Sequence, residues 1–153
     1  MQACVWPITG LTAVLLLAAC ACTEASAQAA QCSKGDFEAV VDEAAASLRD
    51  LTRQHTPQFQ AKLRQLKDKR AWSNDQFMKE AEPFVRDDKI AGFDQKSEEF
   101  LARITSGGQS QSASAKPDCA LLLELRAAMQ ALVDTQRTKW SYMFDKLDKE
   151  LAR

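Results

Sequence analysis

Residues 118–153 form a run of thirty-six residues without a single glycine or proline. No other stretch restricts the fold as tightly. Leu122, Leu125, Met129, Leu132 and Gln136 recur at spacings of three and four. Trp140, Met143, Phe144, Leu147 and Leu151 continue the stripe after a one-residue drift. That period puts one face of a single α-helix against a core. At about 1.5 Å per residue the helix is ~54 Å long. It needs neighbours of similar length to cover it.

Two other segments have the same period. In the first, about Asp36 to Ala71, the stripe holds Phe37, Val40, Val41, Ala44, Leu48, Leu51 and His55, then Phe59, Leu63 and Leu66. Ser33, three residues before Asp36, reads as a capping-box variant. Acidic residues crowd the start of this segment, and the basic run Lys62, Arg64, Lys67, Lys69 and Arg70 crowds its end, complementing the helix dipole. Pro57 interrupts it, as a kink in one helix or as the first turn of a separate one. The sequence AWSND makes a turn, with Ser73 or Asn74 as the next cap. A second helix is expected over about Asp75 to Ile104, bent near Pro83 and Gly92. Residues 105–117, rich in serine and glycine, read as a flexible linker.

The N-terminus reads as a targeting segment. Ile8 to Ala19 is apolar but shorter than the roughly 20 residues a membrane span needs, and small residues follow. Ala25 to Ala27 is a small-x-small cleavage site, giving a signal peptide over residues 1–27 and a mature domain over residues 28–153. Leu17 to Cys20 resembles a bacterial lipobox, which would make residues 1–19 a lipoprotein signal and Cys20 a lipidated N-terminus. Cysteine parity favours the first. The chain has five cysteines, and cleavage after Ala27 leaves Cys32 and Cys119, an even pair suited to an oxidising compartment. Lipidation at Cys20 leaves Cys22 as an odd thiol.

The cysteine pair sets the topology. Cys32 precedes the first helix and Cys119 opens the last. A disulfide needs their Cα atoms within about 7 Å. In an up-down-up three-helix bundle the first and third helices start at the same end. In a four-helix bundle split at Pro57 the first and fourth start at opposite ends. The expected fold is therefore an all-α, antiparallel up-down-up three-helix bundle with long, kinked helices and a Cys32–Cys119 bond. The four-helix bundle split at Pro57 is the alternative.

The inventory for chemistry is sparse. His55 is the one histidine and lies on the apolar stripe, as a core residue would. Paired cysteines supply no thiolate. No C-x-x-C-H run exists for covalent haem, and by helix height His55 falls near Trp140 and Met143. The carboxylates Asp87, Asp88, Asp94, Glu98 and Glu99 alternate with lysine and arginine, as a solvated face does. No catalytic, metal or cofactor set is expected. Residues 28–153 carry 20 basic and 20 acidic side chains, which gives nucleic acid no electrostatic attraction. Contact with a membrane is expected only through a lipid on Cys20. The strongest candidates for a partner surface are the aromatic cluster around Trp140 and Tyr142 and the basic run Lys62, Arg64, Lys67, Lys69 and Arg70. The expected function is that of an exported, periplasmic or secreted, non-enzymatic bundle that binds or stabilises another protein. A carrier of a small apolar ligand held between the helices, near Pro83, Gly92 and Trp140, is the alternative.

Overall fold

The computed structural model describes residues 31–153. The expected signal segment, residues 1–27, and Cys20 lie outside them. The described residues are all-helical, with four helices that pack on one another: α1 (Lys34–Lys69), α2 (Asn74–Val85), α3 (Asp88–Ser112) and α4 (Cys119–Ala152).

Local chemistry fixes the ends. At the start of α1, Ser33 Oγ accepts the Asp36 N–H while the Asp36 carboxylate accepts the Ser33 N–H, completing the capping box. These bonds also hold the Asp36 carboxyl below its ordinary range. The helix then runs unbroken through Pro57. It ends where Trp72 N–H donates to Lys67 O and Ala71 N–H to Asp68 O, the paired bonds of a Schellman motif. That motif needs a left-handed residue, and Ala71 supplies it with φ 51°. A second capping box, Ser73 with Gln76, opens α2.

The second arm departs from the expected single helix over residues 75–104. It breaks between Val85 and Asp88, not at Pro83 or Gly92. Pro83 falls in the last turn of α2, Arg86 is extended, and Asp87 caps α3 by accepting the Ile90 N–H. The split of a long segment thus occurs here, and Pro57 splits nothing.

The linker expected over residues 105–117 is also corrected, because α3 continues to Ser112. Gly107 is buried against Leu121 and Leu125 of α4. The hydroxyls of Ser106, Ser110 and Ser112 bond back to carbonyls three or four residues earlier. A helix contact that needs the smallest side chain overrides composition. Asp118 caps α4, which covers the expected run almost to its end.

The long helix α4 is the common partner. It packs along both α1 and α3, while α1 and α3 hardly approach each other. Helices α1 and α4 run in the same direction. Cys32 meets Cys119 at one end, and Lys62 meets Asp148 near the other. Helix α3 runs opposite to α4, since Gly107 meets Leu125, Ser97 meets Gln136, and Asp87 meets Lys146. The Cys32 and Cys119 sulfurs stand at disulfide distance, with Cα atoms 5.5 Å apart. The core divides in two. One cluster gathers Phe59, Leu66, Phe84, Ile90, Met143 and Leu147 at the end away from the cysteines. The other joins Val40, Leu122 and Met129 near them.

Candidate functional site: an open groove between α1 and α3

Because α4 holds α1 and α3 apart, a groove opens between them. Its floor is the α4 stripe, Leu122, Leu125 and Met129, with Val40 of α1 and Ile104 of α3 at the sides. It encloses about 660 Å³ near the cysteine pair. Further along α4, on the same side, lies a second, smaller hollow of about 250 Å³ among Leu48, Leu51, Leu101, Leu132, Gln136 and Trp140. Val41 and Leu101 stand on its two walls and remain 48% and 49% exposed, although both lie beside a core stripe. Exposed apolar residues along one seam are a contiguous feature, unlike the scattered singles of any surface.

The walls differ in charge. On α1, Lys34 also lines the groove and forms an ion pair with Glu38 at 3.7 Å, while Asp42 has no hydrogen bond or ion pair among the described residues, so the wall is net negative by one charge. On α3, residues 104–112 carry no charge, and the space beside Gly108 is open. Lys116 stands past the end of that wall.

The basic run expected as a partner surface is largely engaged within the molecule. Lys62 pairs with Asp148. Lys67 donates to Asn74 and lies over the Phe77 ring. Lys69 donates to the Leu151 carbonyl, and Arg70 meets the Glu150 carboxylate at 3.3 Å. Only Arg64 of the five is without a partner among the described residues. Lys62, Lys69 and Arg70 tie the end of α1 to the last turns of α4, Lys69 and Arg70 answering carbonyls that a helix C-terminus leaves unpaired, while Lys67 ties it to α2.

The aromatic candidates are engaged too. Trp140 packs with His55, Phe59 and Phe144. His55 thus meets Trp140, as helix height implies, and its buried Nδ1 has no hydrogen-bond partner among the described residues. Tyr142 faces the α2–α3 corner. Its hydroxyl donates to Asp87 at 2.8 Å, and the Lys89 ammonium sits 4.4 Å from its ring centroid. Lys146 reaches the same carboxylate and the Pro83 carbonyl. Burial alone would raise the Asp87 carboxyl. The bonds from Lys146, the Ile90 N–H and Tyr142 outweigh it and hold the group at about 2. The hydrogen bond to Asp87 and burial push the Tyr142 hydroxyl up. This cluster locks the corner where α2 hands over to α3.

Sequence reasoning placed Phe37, Val41 and Leu48 on a stripe, yet it did not find the groove. The groove is a relation between α1 and α3, and their separation is set by what each does against α4. No protein-family model, curated protein or solved structure matches the chain.

Proposed function

We propose that this protein is an exported, non-enzymatic bundle that binds another protein by clasping one of its helices between α1 and α3. In this reading cleavage follows Ala27, and the mature protein is periplasmic or secreted. Its fold is an up-down-up bundle of three arms, α2 and α3 together forming the middle one. The observation that carries the reading is the packing asymmetry: α4 contacts both α1 and α3, which hardly contact each other. In this reading a partner helix docks over the seam between α1 and α3 as the fourth helix of a bundle, at the usual interaxial distance of about 8–10 Å. Helix-in-groove docking is a common mode of peptide recognition, read as apolar anchors at three- and four-residue spacing.

The test is photo-crosslinking in the exporting cell. A crosslinker replaces Val41 or Leu101 on the groove walls. Met78 and Leu123, exposed apolar residues outside the groove, serve as controls at 72% and 63% exposure. Adducts with one helical segment, formed at the groove positions and not at the controls, are the expected result. The same adducts from all four positions, or none from the groove, would count against the reading.

A second reading, carriage of a small apolar ligand, draws support from the size of the groove, which lies within the roughly 300–1,000 Å³ of small-molecule sites. Its location would be the cysteine end rather than the neighbourhood of Pro83 and Gly92. Native mass spectrometry of gently purified protein separates the two. A stoichiometric small-molecule adduct supports the carrier.

A further inference from the structure

Taking the helix-binding reading as its basis, we propose that the partner is an amphipathic helix of about four turns with a basic edge lying along α1 and a small, uncharged edge along α3. The length follows from the seam. From Phe37, its first apolar residue, the α1 wall runs to Thr52, about 22 Å at the helical rise. A partner helix matching that length needs about fifteen residues, with apolar side chains every third or fourth position against Val41 and Leu101 on the walls.

The edges follow from the walls. Along α1, the exposed carboxylate of Asp42 is unpaired among the described residues, and Glu38 has only the exposed Lys34 at the groove's end, so this wall carries a net negative charge. A lysine or arginine on the partner would face both. Along α3 the wall from Ile104 to Ser112 offers no charge, and at Gly108 no side chain occupies the space. A charged partner side chain there would lose water without gaining an opposite charge. A small or neutral residue fits. Lys116 stands beyond this wall at the groove's end and leaves the contrast between the two walls intact.

The experiment uses the intact, disulfide-bonded protein and two labelled sixteen-residue helical peptides. They share one apolar stripe and differ only in edge residues, lysine in one and glutamate in the other. At low salt the lysine-edged peptide is expected to bind about tenfold more tightly, the sum of two exposed charge pairs. The difference closes as salt screens it. The double substitution Glu38→Lys with Asp42→Lys reverses the order. Leu101→Gln, which removes apolar surface without adding charge, weakens both peptides alike, and at a half-exposed position it leaves the circular dichroism unchanged. Equal binding of the two peptides, both weakened by Leu101→Gln, would overturn the edge chemistry and leave the groove standing. Binding of neither, or binding indifferent to Leu101→Gln, would overturn the groove reading with it. Saturation by a fluorescent fatty acid in place of either peptide would assign the seam to an acyl chain and have the same consequence.

Discussion

Gly107 of α3 lies so close to Leu125 of α4 that a Cβ at that glycine would stand 2.7 Å from the leucine Cδ2. Its neighbour Gly108 faces open space, with no atom within 4 Å of the equivalent point. Two adjacent glycines in one helix therefore have opposite roles. Replacing either with alanine gains about 1 kcal/mol of helix propensity. At Gly107 that gain meets an overpacking cost of about 1–3 kcal/mol, softened because the contact is the end of a leucine side chain. Gly107→Ala should therefore be less stable than Gly108→Ala by about 1–3 kcal/mol. Urea unfolding of the two variants measures this difference directly, with the propensity gain cancelling between them.

Ala71 carries a second backbone prediction. It takes the left-handed position of the α1 Schellman motif, where a Cβ costs roughly 1 kcal/mol. Ala71→Gly should raise stability by up to about 1 kcal/mol, since glycine adopts that conformation freely. A thermal melt that moves downward would show that the motif is not what ends α1.

Pro57 lies in the interior of a continuous helix and leaves the carbonyl four residues earlier without its usual donor. It is exposed, so alanine there loses little packing. Pro57→Ala is expected to stabilise the protein by about 1–3 kcal/mol, read from denaturant midpoints. No gain would mean that α1 uses the proline to shape its course along α4.

Acid stability should depend on Asp87. Its carboxyl lies at about 2 in the folded protein, below the ordinary value of 3.8. The folded state therefore binds its proton less readily than the unfolded chain. The resulting stabilisation is fully present above about pH 4 and is lost as pH falls towards 2. Asp87→Asn should flatten the stability profile across that window and lower stability at neutral pH, where Tyr142 and Lys146 lose their Oδ2 acceptor while the asparagine Oδ1 still caps α3. A variant that keeps the wild-type slope between pH 4 and 2 would assign the dependence to other carboxylates.

The cysteines give a fifth prediction. Their residues are separated by 87 positions, and closing so long a loop stabilises by about 2–4 kcal/mol in the chain-entropy account. The double substitution Cys32→Ser with Cys119→Ser should lower stability by that amount. The first turns of α1 should then exchange amide hydrogen faster than its middle. Uniform exchange along α1 would show that packing on α4 alone holds this end.

How much of this was legible in the sequence depends on the range of the interaction. Helix α4 was legible because thirty-six residues without a breaker admit few alternatives, and its stripe repeats often enough to average out exceptions. Ser33 with Asp36 was legible because capping is a contact over three residues. The break at Arg86 and Asp87 was hidden behind Pro83 and Gly92, which look like stronger punctuation. The signal lay in Asp87, an N-cap residue type three positions before Ile90. Gly107 was illegible in principle, since a glycine in a serine-rich stretch reads the same whether it loosens a coil or admits a neighbouring helix. Only the position of Leu125 distinguishes them. The groove belongs to the same class. Val41 and Val40 differ by one step around α1, and which of them stays exposed is decided by where α3 is held. The basic run was visible, but its engagement required Asp148, Glu150 and the Leu151 carbonyl to arrive from the end of α4.

The central position of α4 has a consequence for the order of assembly. It is the last helix in chain order, yet both arms pack on it. A chain delivered N-terminus first therefore has only Phe84, Ile90 and Ile104 to set against Val40, Phe59 and Leu66 until the residues from Cys119 onward have emerged. Cys32 likewise waits as a thiol for a partner made much later. The fold is completed only when the final quarter of the chain brings both the surface and the sulfur that the earlier segments lack.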